Sequence, residues 1–309
     1  MGEIVEALRR AEGEGEKSPP PARPPSELRE PAPGGISLRS DSDKDRPIET
    51  PRTVLLNASQ EVTRNNVARI SLDAPHSPPG QEFRRIAFRL RDQALRAQAR
   101  SVVVISAEPS DGKTTMACNL AIQLAQLDQS SRVALVDLDL HRASVASSLG
   151  VKIETGFDAA IRGEASLASV VVPTDVPGLW VAGLAAPVDH ADLLLTHPNL
   201  AQTIRDLEQR FDLILIDTPP ILAASDAQVI LRCTDAALLV VRAGKTSVRM
   251  LTRALEHLPA EKLLGTLLNS SRRDPGLSRY AYTEYASSRV ADSEDSERPQ
   301  ESAENRDEP

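Results

Sequence analysis

A short loop with one glycine, one lysine and two threonines has the residue types and spacing that point most directly to chemistry. It reads AEPSDGKTT from Ala107 to Thr115, between an apolar run at 101–107 and a helical pattern at 114–127. This order fits a relaxed Walker A motif, A/G-x4-G-K-S/T, in its strand–loop–helix setting. Backbone N–H groups at such a helix start face phosphate oxygens, and the helix dipole favours their charge. The motif predicts a triphosphate site; the competing interpretation is an ordinary loop that matches by chance.

The loop residues would share the work of holding a triphosphate and its metal ion. We expect the Lys113 ammonium to reach the outer phosphates, the Thr114 hydroxyl to ligate Mg²⁺ and Gly112 to let the backbone approach closely. The predicted ATP-binding residues of the loop are Ser110, Asp111, Gly112, Lys113, Thr114 and Thr115. Most such loops have glycine where this one has Ser110, and a positive φ there would cost serine on the order of 1 kcal/mol.

Carboxylates stand at the ends of two further apolar runs. Asp137 and Asp139 close the run VALVDLD and alternate onto one face, while Asp217 closes the run LILID in a Walker B pattern. The carboxyl ends of strands in an open α/β sheet face the ligand. We therefore predict that Asp137 and Asp139 act in catalysis with Lys113, and that Asp217 holds Mg²⁺. The alternative is that Asp137 or Asp139 caps the next helix; Asp226, further on, fits a structural role as well as a functional one.

The elements that must position these residues follow from the hydrophobic pattern. Short, β-branched apolar runs predict strands at 101–107, 132–138, 179–182, 213–217, 236–241 and 264–268. Helical spacing predicts helices at 81–98, 114–127, 199–210 and 248–258, the first with Phe83, Ile86, Leu90 and Leu95 on one face. Near-continuous apolar strands separated by helices indicate a mostly parallel sheet covered on both sides. The predicted fold class is a three-layer α/β domain.

Composition divides the 309 residues into four parts. Residues 1–12 have the spacing of a short amphipathic helix, with a frayed, solvated helix as the alternative. Residues 1–80 hold 12 of the 23 prolines, and 13–80 are predicted to be a disordered linker. The domain is predicted at 81–273. The polar segment 274–309 is predicted to be a disordered tail and supplies most of the net charge of −8.

Length and composition also exclude several classes of protein. The longest apolar runs have about six residues, whereas a membrane-spanning helix needs about 20. No apolar stretch behind the N-terminus predicts a secretory signal. Cys118 and Cys233 are too few for a disulfide framework, which predicts a reduced, cytoplasmic protein. The acidic balance does not indicate a nucleic-acid partner, and it does not exclude one, because most of the charge lies in the tail; the prediction is that there is none.

The order of the motifs resembles the bacterial tyrosine kinases of capsule and exopolysaccharide loci. The sequence ISAEPSDGKTT at 105–115 is similar to the family loop T-S-A-x-P-G-E-G-K-[S/T]-T, and NLA at 119–121, the D-x-D strand end and IDTPP-x5-DA at 216–227 follow it. The likeness covers roughly residues 82–285, and the opening EIVEALRRA resembles cytoplasmic autokinases of exosortase-linked loci. The resemblance implies the P-loop NTPase fold of the partition and septum-site ATPases. It also implies an ATP- and Mg²⁺-dependent protein-tyrosine autokinase that regulates exopolysaccharide or capsule polymerisation and export.

The resemblance further implies roles for single residues. Asp137 matches the position of the family's base, and Asp139 that of the carboxylate supporting Lys113 and the metal-bound waters. Asn269 matches the residue that reads the adenine edge, and Arg242 lies in the stretch VVRAGKT, expected near the nucleotide.

This chain departs from the family pattern at several positions. The arginine of D-x-D-x-R is His141 here, and the loop glycine is Ser110. The helix implied to mediate oligomerisation has the pattern E-x-x-R-x-x-R; Glu82 and Arg85 fit it, whereas Arg89 comes one residue late.

All three tyrosines of the chain lie within six residues, at Tyr280, Tyr282 and Tyr285, after the last predicted strand. A packed tyrosine needs a core around it, and this segment has none. The resemblance implies that the cluster is the autophosphorylation substrate. Each phosphate would add about −1.5 to −2 charges.

The resemblance implies three kinds of partner. They are a membrane polysaccharide co-polymerase as activator, further copies of this chain in a homo-oligomer and a cognate phosphotyrosine phosphatase, with recruitment to the inner face of the cytoplasmic membrane. Two other functions compete. A partition- or positioning-type ATPase has a lysine five residues before the loop lysine, where this chain has Glu108. A nucleotide-binding scaffold without phosphotransfer would accommodate Ser110 and His141.

Overall fold

The computed structural model of the protein describes residues 67–128 and 130–270. The predicted helix 1–12, the linker up to residue 66 and the tail 274–309, with Tyr280, Tyr282 and Tyr285, lie outside the described residues. Within the described ranges, no helix combines the length and the apolar character that a bilayer crossing demands.

Seven strands within residues 67–128 and 130–270 form one sheet, in the order β3-β4-β2-β5-β1-β6-β7. The strands are β1 Ser101–Ser106, β2 Val133–Asp137, β3 Val172–Pro173, β4 Leu179–Ala182, β5 Leu213–Asp217, β6 Ala236–Arg242 and β7 Leu263–Asn269. All neighbours run parallel except β3, which is antiparallel to β4. The mostly parallel sheet is therefore confirmed. Only β3, which has two residues and contains a proline, had no predicted counterpart.

Ten α-helices connect or flank the strands in the described part of the chain. They are α1 Ile70–Asp73, α2 Pro78–Arg96, α3 Lys113–Leu127, α4 Ser144–Leu149, α5 Phe157–Arg162, α6 Leu167–Val170, α7 Ala191–Leu195, α8 Asn199–Glu208, α9 Asp226–Arg232 and α10 Val248–Glu256. Short 3₁₀ turns lie at Val67–Arg69 and Ala260–Lys262.

Alternate residues of each strand enter two separate hydrophobic cores. Val102 and Val104 of β1 pack with α2, α3 and α4 on one side of the sheet. Val103 and Ile105 pack with the helices from α5 to α10 on the other side. Because a parallel sheet buried on both faces needs apolar residues at every strand position, the near-continuous apolar runs are explained. The three-layer α/β prediction is confirmed.

The buried face of α2 differs from the predicted one. Phe83 and Leu90 are buried as expected, but Leu95 is 69% exposed and Ala87 and Ala94 take the remaining core positions. Positions 83, 87, 90 and 94 follow the 3.6-residue period, and residue 95 lies about 100° further round the helix. The smaller Ala94 therefore faces the core, while the larger Leu95, which the prediction placed there, faces solvent.

The predicted linker extends too far towards the domain. Residues 67–80 form the first 3₁₀ turn, α1 and the start of α2, where the Ser77 hydroxyl accepts a hydrogen bond from Gly80 N–H at 3.2 Å. The Asn119 side chain of α3 binds residues 67–71: it accepts a hydrogen bond from Ser71 N–H and donates one to the Val67 carbonyl, both at 2.8 Å. Composition predicted a linker here because the structure of this segment depends on contacts with Asn119, which lies 48 residues after Ser71 and leaves no local signal.

Candidate functional site

The phosphate-loop candidate connects the carboxyl end of β1 to the first turn of α3. Gly112 is the residue before α3 and has φ of 100°, in the left-handed region. A Cβ at this position would lie 2.2 Å from Nδ2 of Asn269, so both conformation and space require glycine. The predicted strand–loop–helix setting of the motif is therefore present.

Ser110 also has a left-handed backbone, with φ of 64°. The positive φ expected for the family's glycine position is thus found, with serine in its place. Strain on the order of 1 kcal/mol follows for a residue with a Cβ. This strain must be offset by other contacts that the loop makes.

Lys113 and Thr114 open α3 at the centre of the candidate site. Lys113 is only 5% exposed, and within the described residues its ammonium forms no hydrogen bond or ion pair, although its charge lowers the pKa of Asp217. Thr114 Oγ1 donates to Asp217 Oδ2 at 2.5 Å and lies 3.1 Å from Ser144 Oγ. Sequence reasoning missed Ser144, because its only signal is a position soon after the D-x-D strand end.

Asp217 ends β5 and is fully buried. Its Oδ1 atom has no hydrogen-bond partner among the described residues, although Oδ2 is bound to Thr114. Burial raises the pKa of Asp217 to about 6, against the lowering effects of Lys113 and Thr114. A buried carboxylate oxygen without a partner beside a hydroxyl fits the oxygen donor set of Mg²⁺, which keeps several waters and substrate phosphates as its other ligands. The Mg²⁺ prediction for Thr114 and Asp217 is therefore compatible with the geometry.

Asp137 ends β2 and is fully buried next to Asp217. Its two oxygens accept the N–H groups of Asp139 at 3.1 Å and Val145 at 2.9 Å, the second of which lies in the first turn of α4. The helix-capping alternative is thus seen in the structure, together with the predicted proximity to the other acid. Burial first, and the Asp217 charge second, raise the pKa of Asp137 to about 7.

His141, two residues after the D-x-D pair, contacts the helix after β5. Asp139 is buried, and its carbonyl accepts the N–H of Arg142 at 3.0 Å, which turns the chain. His141 Nε2 lies 2.8 Å from Asp226 Oδ2, where His141 is 55% exposed and Asp226 is 10% exposed. Asp226 therefore joins the β2 and β5 loops.

Arg242 and Asn269 end the neighbouring strands β6 and β7, and both contact the loop. Arg242 Nη1 donates to the Ser110 carbonyl at 2.9 Å, and Asn269 Nδ2 donates to the Asp111 carbonyl at 2.8 Å. Thr115, the last residue of the predicted set, lies in the first turn of α3. The structure thus brings together all the predicted loop and acidic residues at one edge of the sheet.

The predicted oligomerisation residues lie elsewhere, on the solvent side of α2. Glu82 and Arg85 are exposed and form an ion pair, and Arg89 is exposed as well. Surface pairs of this kind contribute little to stability. The oligomerisation role of these residues stays a prediction.

Comparisons with known proteins show the family of the chain and proteins to which it is similar. The AAA domain family matches residues 100–262, more than half of the chain. The tyrosine-protein kinase YwqD of Bacillus subtilis is 28% identical over 218 residues, which are 70% of this chain and 90% of that protein. The succinoglycan biosynthesis transport protein ExoP of Rhizobium meliloti is 28% identical over 210 residues, 66% of this chain but only 26% of that protein.

The fold is also found in a solved structure. The kinase domain of the Escherichia coli tyrosine kinase ETK superposes with a TM-score of 0.62 at 25% identity, covering 67% of this chain and 81% of that domain. The described residues of this chain and that kinase domain therefore share one architecture. The chain belongs to the AAA domain family, and it is similar to the bacterial tyrosine kinases YwqD and ETK.

Proposed function

We propose that the protein is an ATP-dependent protein-tyrosine autokinase that regulates exopolysaccharide or capsule polymerisation and export. The observation that carries this proposal is the group formed by Lys113, Thr114, Asp137 and Asp217 where β1, β2 and β5 end. The names of YwqD and ExoP support the activity and the biological setting.

The residues of the chain divide the reaction between binding and proton transfer. The loop N–H groups and Lys113 hold the ATP phosphates, while Thr114 and Asp217 hold the metal. When bound, Mg²⁺ supplies positive charge against the phosphate oxygens. A tyrosine hydroxyl must lose its proton as it attacks, and a carboxylate with a raised pKa is a better acceptor than an ordinary one. Asp137 is the proposed acceptor, and the buried Asp139 would support Lys113 and water near a bound metal.

The proposed substrates are Tyr280, Tyr282 and Tyr285 of a neighbouring copy. The proposed partners are further copies through Glu82, Arg85 and Arg89, a membrane co-polymerase that activates the kinase and a phosphatase that reverses the modification. Such partners place the protein in the cytoplasm, at the inner face of the membrane. This setting comes from the family resemblance and from the names of the relatives.

The test uses the purified full chain with Mg²⁺ and ATP. Phosphotyrosine is measured by specific antibody and mass spectrometry, and ADP release is measured in parallel. Parent protein should gain phosphotyrosine, whereas Lys113→Ala should not, and Lys152→Ala, an exposed lysine outside the loop, should behave as the parent. ADP release without phosphotyrosine would favour the positioning-type ATPase. ATP binding with neither product would favour the scaffold.

A further inference from the structure

Three side chains at or just after the ends of β6 and β7 donate hydrogen bonds to three successive carbonyl groups of the phosphate loop. The Pro109 carbonyl accepts from Lys245 Nζ. The Ser110 carbonyl accepts from Arg242 Nη1 at 2.9 Å. The Asp111 carbonyl accepts from Asn269 Nδ2 at 2.8 Å. We call the four residues Arg242, Lys245, Thr246 and Asn269 the clasp.

Asp111 fixes the clasp to the loop with its side chain. It is fully buried, and its Oδ2 accepts the Glu108 N–H at 3.1 Å within the loop. Its Oδ1 accepts the Thr246 hydroxyl at 3.1 Å and lies 3.8 Å from Lys245 Nζ. Thr246 Oγ1 in turn accepts the Arg242 N–H at 3.1 Å. The buried carboxylate of Asp111 is thereby bonded through one oxygen to its own loop and through the other to the turn after β6.

The hydrogen bonds from the clasp to these carbonyls also fix the direction of the N–H groups in the same peptides. In a planar trans peptide, the carbonyl of one residue and the N–H of the next point to opposite sides. The carbonyls of Pro109, Ser110 and Asp111 face the clasp, so the N–H groups of Ser110, Asp111 and Gly112 face away from it. Among the described residues these three N–H groups have no protein acceptor. They are the donors expected to meet phosphate oxygens.

A serine at φ of 64° tends to leave the left-handed region, and leaving it would turn the adjoining peptide groups. Glycine would occupy the same conformation freely, so a loop with glycine would depend less on outside contacts.

We propose that Lys245 and Thr246, with Asp111 as their anchor, are positioning residues that hold the strained Ser110 loop in its phosphate-binding conformation. The inference rests on the proposed nucleotide site. It deepens that proposal because it assigns a role to residues outside the Walker motifs.

The experiment is a double-mutant cycle on the full chain. Lys245→Met and Thr246→Val are each made in the parent and in a Ser110→Gly background, and binding of fluorescent N-methylanthraniloyl-ADP is titrated. Lys245 is 42% exposed, so its removal should weaken binding only about three- to tenfold, while Thr246→Val leaves a buried acceptor unpaired and should weaken it about tenfold or more. In the Ser110→Gly background, both losses should shrink to less than about twofold. Lys245→Arg, which keeps a charged donor, should restore most of the affinity.

One control variant and several outcomes separate positioning from other roles. Arg249→Met removes an exposed cation from α10 and should leave binding unchanged. Equal losses of affinity in both backgrounds would overturn the proposal, because a direct nucleotide contact would not depend on Ser110. Parent-like affinity of both single variants would also overturn it, as would losses matched by proportionate falls in melting temperature. Failure of the parent itself to bind the probe, or full binding by Lys113→Ala, would instead contradict the proposed nucleotide site.

Discussion

Asp137 and Asp217 occupy paired positions in the register of the adjacent parallel strands β2 and β5, and both are fully buried. Two carboxylates in such a place cannot both carry charge without cost, because burial and mutual repulsion favour the protonated form. Burial, followed by the charge of Asp217, raises the pKa of Asp137 to about 7, and burial raises the pKa of Asp217 to about 6. A metal ion or a nearby cation is what makes such a pair acceptable in its charged form.

Stability of the metal-free protein should therefore fall as pH rises. The folded state holds these protons more tightly than the unfolded chain, so their stabilising contribution is complete below about pH 4 and is lost as pH rises through 6 to 7. The loss is on the order of a few kcal/mol, since one pKa unit corresponds to about 1.4 kcal/mol. Denaturant unfolding in chelator between pH 5 and pH 8 measures it.

The matched variants are Asp137→Asn and Asp192→Asn. The first should flatten the pH dependence because it removes one buried titrating group, while the second changes an exposed residue of α7 and should follow the parent. The slope with pH is compared, not the absolute stability, because asparagine also alters the hydrogen bonds of position 137. An unchanged slope in Asp137→Asn would contradict the raised pKa of Asp137 as a cause of the pH dependence.

Nucleotide and metal binding should depend on Lys113 and Asp217 in different ways. Lys113→Ala removes the cation predicted to meet the outer phosphates and should weaken ATP binding by about a hundredfold or more. Asp217→Asn should mainly weaken the dependence of ATP binding on Mg²⁺, since the carboxylate is the proposed metal partner. Calorimetric titration with ATP at several Mg²⁺ concentrations measures both effects. Parent-like binding of MgATP by Lys113→Ala would refute the loop assignment.

Much of the scaffold could be read from the sequence because local patterns carry it. The runs ending at Asp137 and Asp217 predicted both strands and the edge at which their carboxylates meet. Contacts between segments distant in the chain had no such signal. The Lys245 and Thr246 contacts with the loop span more than 130 residues, and the Asn119 contacts with residues 67–71 involve a polar side chain inside an apolar helix. Both depend on how helices and loops meet above the sheet, which periodicity does not specify.

Phosphorylation should occur between copies of the chain. Lys113→Ala protein should become labelled when mixed with protein that keeps its loop but has Tyr280, Tyr282 and Tyr285 changed to Phe. Glu82→Ala with Arg85→Ala should reduce this transfer, because both side chains are exposed on α2, the helix proposed to contact a second copy. Radiolabelled ATP and gel separation of tagged chains measure the transfer.

The control for this experiment is Asp92→Ala with Arg96→Ala, which removes another exposed ion pair from the same helix. It should leave transfer unchanged if the effect belongs to the Glu82 and Arg85 pair. No label on the Lys113→Ala chain, together with concentration-independent labelling of the parent, would show that each chain phosphorylates itself.

The segment before α2 should be held to the domain chiefly by Asn119. This buried side chain donates to the carbonyls of Val67 and Thr115 and accepts from Ser71 N–H, so alanine would leave backbone groups of the 67–71 segment without partners. Asn119→Ala should lower the free energy of unfolding by about 2–3 kcal/mol and speed proteolytic cleavage between residues 67 and 77. Gln126→Ala, an exposed change on the same helix, should do neither. Loss of stability without faster cleavage would mean that Asn119 supports α3 alone, and that the segment is held by other contacts, such as the Arg69 hydrogen bond to the Leu149 carbonyl.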